Sequence, residues 1–145
     1  ALACDIRIAT DTAIFSESFI KIGLVPDWGG FQSLARLVGT AKAMELMMTG
    51  DRIDAAEALR LGMVNKVIPV EDFRMEVEKF ATRLAAGPRA ALAAIKKGTY
   101  LGSTGTAEEV LDFERAVQTQ LFLSDDAREG MKAFVEKRSP KFGKS

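Results

Sequence analysis

The 145-residue sequence contains no histidine. Ser-His-Asp and Cys-His catalysis, and most zinc sites, need an imidazole, so this chain cannot build them and no metal site is expected. Acid-base chemistry falls instead to carboxylates, to lysine or to the single tyrosine, Tyr100. Cys4 is the only cysteine, which excludes an intrachain disulfide and removes any demand for an oxidising compartment. An excess of charge of one sign is missing too, since 20 Lys and Arg balance 20 Asp and Glu. Without a basic field over its surface the chain has no general attraction for nucleic acid, and an anionic ligand must be met locally. No apolar run approaches the ~20 residues that span a bilayer, and nothing reads as a signal peptide. The expectation is a soluble, cytoplasmic protein with neither a membrane nor a nucleic-acid partner.

What is present reads as one globular unit, with 48% hydrophobic and 28% charged residues. The opening "ALACDIRIATDTAIFSES" alternates Ile6 and Ile8 with Asp5 and Arg7. A Thr-Asp-Thr turn then leads to Ala13, Ile14 and Phe15, which predicts two short strands. A start on "ALACD" reads as a cut into a structural element and points to a longer protein. From Gly29 the period becomes helical. Phe31, Leu34, Leu37 and Val38 share a face up to Gly39, and Ala43, Met44, Leu46 and Met47 form the next helix, ending at Gly50. Asp54 with Glu57 resembles a capping box, Gly62 closes that short helix, and residues 63 to 69, "MVNKVIP", read as a strand. Phe73, Val77, Phe80 and Leu84 predict a helix that stops at Gly87-Pro88, where another begins. After the "GSTG" loop, Thr106 with Glu109 starts one helix and Ser124 caps the last. At least five helices follow a little strand, and their apolar faces predict burial against other subunits or further chain.

One stretch raises a chemical question. In "FSESFIKIGLVPDWGGFQSLARLVG", residues 15 to 39, Asp27 stands alone between a proline and a Trp-Gly-Gly turn at a helix start. An aspartate there is most simply an N-cap. Gly29 and Gly30 permit a tight turn, and Phe19, Trp28, Met44, Met47 and Met48 are ordinarily packing residues.

The pieces "CDIRIA", "FSESFIKIGLVPDWGGFQSLARLVG", "AMELMMTGDRIDAAEALRLGMVNKVIP" and "SDDAREGMKAFVEKRSPKF" resemble the crotonase, or enoyl-CoA hydratase/isomerase, superfamily in order and spacing, over essentially the whole chain. The resemblance implies an α/β fold. Residues 1–70 would be the end of the ββα spiral core with the active-site segment, and 71–145 a C-terminal helical region that mediates trimers, often paired into hexamers. A preceding half of ~110 to 130 residues would supply both backbone donors of the oxyanion hole. The substrate class implied is an acyl-CoA thioester; coenzyme A arrives with the substrate and no separate cofactor is expected.

Hydratases of the superfamily use two glutamates. The first position falls before residue 1, and Phe19 occupies the second, so the usual pair cannot be assembled here. Glu17 is two residues away, roughly 6 to 7 Å along an extended segment, which predicts a solvated strand-end charge rather than a proton carrier. Asp27 in "VPDWGG" matches a functional aspartate in the branch resembling ring-1,2-epoxyphenylacetyl-CoA isomerase and enoyl-CoA isomerases. A related dehalogenase also has an aspartate there, but with Trp rather than Phe expected at residue 19. The resemblance therefore implies Asp27 as the catalytic base of an isomerase, with a hydratase or other lyase, or an inactive oligomerisation module, as alternatives. Phe19 and Trp28 would line the acyl pocket. Lys137, in "EKRSPKF", would approach the CoA phosphates, whereas Arg138 and Lys141 read as a solvated basic end.

Overall fold

The computed structural model describes residues 1–143. Strand β1 (Ile8–Thr10) starts only at the last residue of the predicted alternation and takes in Thr10 of the expected turn, while β2 (Ile14–Phe15) forms where predicted beyond it. Their partners come from farther along the chain. β2 pairs antiparallel with β3 (Ile53–Asp54), Phe15 opposite Ile53, and β1 pairs parallel with β4 (Lys66–Ile68), Ala9 opposite Val67. The predicted strand at 63–69 is thus shorter than expected. Its first residues instead form a turn held by Arg7, whose Nε donates to the Met63 carbonyl at 2.5 Å and whose backbone N–H donates to Asn65 Oδ1 at 2.9 Å. That exchange fixes the register at which β4 enters.

Between the strands lie α1 (Gly30–Val38), α2 (Thr40–Thr49) and α3 (Ala55–Arg60). Leu34, fully buried, anchors α1 in a core with Ala9, Ala43, Leu46, Ala58, Met63 and Val64. Burying a leucine of this kind stabilises a fold by about 1.5–3 kcal/mol. Phe31, expected on the same face, is exposed, as is Met44 on α2. The Asp54 cap forms, its carboxylate accepting from Glu57 N–H at 2.8 Å. The reciprocal half of the box does not, because Glu57 turns outward to grip Arg60 through two bonds of 2.6 Å.

The later helices are α4 (Phe73–Ala85), α5 (Arg89–Gly102), α6 (Ala107–Phe122) and α7 (Asp125–Val135). Pro88 opens α5, a position where a missing N–H costs nothing. Thr106 and Glu109 complete a full capping box on α6, and Ser124 Oγ accepts from Ala127 N–H at 3.1 Å to cap α7. The chain divides into two compact units, Ala1–Lys79 and the residues from Phe80 onward.

The largest departure from expectation lies between β2 and α1. Ser18–Ile22 is a 3-10 helix, not extended chain. Ser16 Oγ donates to the Gly50 carbonyl at 3.0 Å, and Gly50, at φ 62°, closes α2 so tightly against this segment that a Cβ there would meet Ile20 at 3.0 Å and Lys21 at 3.1 Å. A tertiary contact more than 30 residues away in sequence therefore bends the segment that carries Glu17.

Candidate active site

The 3-10 helix ends at Gly23, φ 73°, whose N–H donates to the Ile20 carbonyl, while Leu24 N–H donates to the Phe19 carbonyl at 3.0 Å. The chain then runs through exposed Leu24 and Val25 to buried Pro26 and reaches Asp27. Two left-handed residues follow, Trp28 at φ 52° and Gly29 at φ 81°. Glycine adopts that conformation freely, whereas a bulky tryptophan is strained by roughly 1–3 kcal/mol, and strain of this kind concentrates at functional sites. Gly30 opens α1 because a Cβ there would lie 3.0 Å from that of Pro26.

This turn decides the first question about Asp27. The N-cap of α1 is Gly29, and no side chain caps the helix. Asp27 contributes only its carbonyl, which accepts from Gly30 N–H at 2.9 Å, and its carboxylate is left exposed on the loop. The capping role expected from sequence is therefore not filled by this side chain. Trp28 is 96% exposed and forms no wall within this chain, while Phe19 is half-buried in the 3-10 helix.

Glu17 differs more from expectation. It is half-buried and lines a cavity of about 100 Å³ whose other walls include Phe15, Leu34, Leu46, Ile53 and Met63. Burial raises its proton affinity, and the negative charge of Asp27 adds to the rise. The reading of Glu17 as a solvated strand-end charge is thus corrected: the 3-10 turn tucks it into apolar surroundings and within electrostatic reach of Asp27. One signal was available, since Phe15, Glu17 and Phe19 share parity and place a carboxylate in an otherwise apolar row.

Lys137 belongs to the second unit. It follows α7, is exposed, and takes a left-handed φ of 52° as its N–H donates to the Phe134 carbonyl at 3.2 Å. Arg138 fixes the surrounding segment. Its guanidinium meets Glu129 at 2.6 and 3.0 Å and Glu136 at 2.6 Å, contacts that hold its proton more firmly than usual. Lys141 N–H also donates to Glu129, at 2.8 Å. Of the expected solvated basic end, the Arg138 side chain instead clamps the tail to α7, whereas the Lys141 side chain is exposed and only its backbone N–H is engaged. Among the described residues no group of three or more Cys, Asp or Glu side chains could hold a metal ion, and no helix is long and apolar enough to cross a membrane.

The sequence profile of the enoyl-CoA hydratase/isomerase family matches residues 1–145. The chain belongs to the enoyl-CoA hydratase/isomerase family. It is 43% identical over 142 residues to a probable enoyl-CoA hydratase of Mycobacterium leprae, covering 98% of this chain and 55% of that protein. A trans-2-decenoyl-[acyl-carrier-protein] isomerase of Streptococcus mutans is 37% identical over 142 residues, 98% of this chain and 54% of the relative. Among solved structures, an enoyl-CoA hydratase from Polaromonas sp. JS666 superposes with a TM-score of 0.92 at 39% identity, covering 99% of this chain and 56% of that one. The chain spans about half the length of the curated relatives it matches, and its mixed α/β architecture is that of the crotonase fold.

Proposed function

We propose that this chain forms part of an acyl-CoA enzyme that isomerises an enoyl-CoA through a thioester enolate, with Asp27 as its base. The observation that carries this reading is the Asp27 loop: a carboxylate freed from capping, exposed beside a strained Trp28 and electrostatically coupled to a half-buried Glu17. Asp27 removes a proton from one allylic carbon of the bound thioester, and charge develops on the thioester oxygen. Two backbone N–H donors from the rest of a family-length chain hold that oxyanion. The protonated Asp27 can return the proton at the other end of the dienolate, so one carboxylate suffices for isomerisation. Phe19 and Trp28 face the acyl group, and Lys137 meets the CoA phosphates as a flexible point charge. Apolar faces on the later helices support assembly into a homotrimer or hexamer, and the cytoplasm is the proposed location.

Hydration is the second reading, favoured by the number of relatives named as hydratases, among them a crotonyl-CoA hydratase of Syntrophomonas wolfei at 37% identity. The test uses the full-length natural protein with 3-enoyl-CoA and 2-enoyl-CoA as substrates. Asp27→Asn is expected to lower the isomerisation rate by about 10²–10⁴-fold while the protein folds normally, since the carboxylate caps nothing. Isomerisation at the wild-type rate in that variant overturns the assignment. Loss of hydration with intact isomerisation moves it to the hydratase.

A further inference from the structure

The end of α7 is closed in a way that ordinarily calls for glycine. Lys137 N–H donates to the Phe134 carbonyl at 3.2 Å and Arg138 N–H to the Ala133 carbonyl at 3.0 Å, the paired bonds of a Schellman turn. The residue between helix and tail in such a turn takes a positive φ, and here it is Lys137, at 52°. A side chain with a Cβ is strained there, and strain persists only where the surroundings hold it.

The tail beyond Lys137 supplies that hold. Arg138 reaches back nine residues to fork onto Glu129, Nη1 to Oε1 at 2.6 Å and Nη2 to Oε2 at 3.0 Å. Farther on, Lys141 N–H donates to Glu129 Oε1 at 2.8 Å, Gly143 N–H donates to Asp126 Oδ1 at 2.9 Å, and the Phe142 ring lies over Gly130. The carboxylate beside Lys137 is also taken: Glu136 Oε2 accepts from Arg138 Nε at 2.6 Å, and its Oε1 lies 4.0 Å from the Lys132 ammonium. Among the described residues the exposed Lys137 ammonium enters no ion pair.

We propose that Arg138 is a positioning residue for Lys137: by fastening the tail to α7 and pairing Glu136, it keeps Lys137 left-handed and its ammonium available to the phosphates of an acyl-CoA. This rests on the reading of Lys137 as the residue that meets those phosphates, and not on the choice between isomerisation and hydration. Without the fork, Lys137 relaxes toward a negative φ and its side chain leaves its direction. A charge ordered before the ligand arrives lowers the cost of binding.

The experiment uses the full-length natural protein with one enoyl group carried on coenzyme A or on pantetheine, which has no phosphate. Lys137→Gln is expected to raise the KM for enoyl-CoA about 10-fold relative to the pantetheine thioester. Arg138→Gln raises the same ratio several-fold with kcat on enoyl-CoA unchanged, and adds nothing further in the Lys137→Gln background. Glu129→Gln, a milder break of the fork, moves the ratio the same way if the arginine variant folds poorly. Lys137→Gly loses the preference for coenzyme A while its thermal midpoint rises, since glycine relieves the strain; a lysine kept only for the helix dipole would make that variant less stable. A wild-type ratio in Lys137→Gln overturns the phosphate reading and this one together. A raised ratio there with a wild-type ratio in Arg138→Gln and Glu129→Gln, an arginine effect that persists without Lys137, or a lowered midpoint in Lys137→Gly overturns the positioning role alone.

Discussion

The first unit, Ala1–Lys79, encloses a buried apolar core while still exposing side chains such as Trp28 on a loop of unusual backbone; the second, from Phe80 onward, encloses almost no core of its own. Among the described residues, every buried hydrophobic side chain except Ala133 belongs to the first unit. In the second, Phe122, Leu123, Phe134 and Val135 are all exposed, Phe134 at 84%. Stability therefore has two origins. Strand pairing and the Leu34 core hold the first unit through contacts distant in sequence, whereas local devices order the second: the Thr106–Glu109 box, the Ser124 cap and the Arg138 clamp. Helices of 11 to 16 residues with good caps are still marginal alone, so faces this apolar imply a cover.

Substitutions can break that contrast or sharpen it. Leu34→Ala is expected to have the largest effect on folding, about 2–5 kcal/mol, because the side chain is 0% exposed and packs in the core of the first unit. A urea titration of the full-length protein measures it; a loss under ~1 kcal/mol would place the stability of the first unit elsewhere. Ser124→Ala removes one capping bond from α7 and should cost about 1 kcal/mol. Amide exchange through residues 125–135 is expected to quicken while the first unit keeps its protection. Phe134→Ser comes last, within about 0.5 kcal/mol in the fold of the chain itself. Its mass in solution sharpens the comparison: a smaller particle with an unchanged unfolding midpoint shows that the face is covered by another subunit, whereas no change in either leaves it uncovered.

How much of this was legible follows from where the information sits. Helix ends were readable because a cap is written within four residues, as Thr106 with Glu109 and Ser124 with Ala127 show. The β1 segment was visible as an alternation and β4 within the "MVNKVIP" stretch, though not that they pair with each other. The 3-10 turn was not, because Ser18–Ile22 bends against Gly50, and no local pattern encodes a contact to the end of α2. Glu17 was misread for the same reason. Its distance from Phe19 was judged along a strand that does not form. Asp27 was singled out as the residue to question, but the N-cap position belongs to Gly29, and only the left-handed backbone of Trp28 and Gly29 shows why.

Trp28 is the only tryptophan in this sequence, and it stands next to the proposed base with 96% of its surface open. Its indole is therefore an optical reporter placed by the fold itself. Emission from a solvated indole is red-shifted and readily quenched by soluble quenchers, and any acyl group, closing segment or neighbouring subunit that covers the loop moves it to the blue. Arrival at the site can be followed by light from a residue that need not take part in the chemistry.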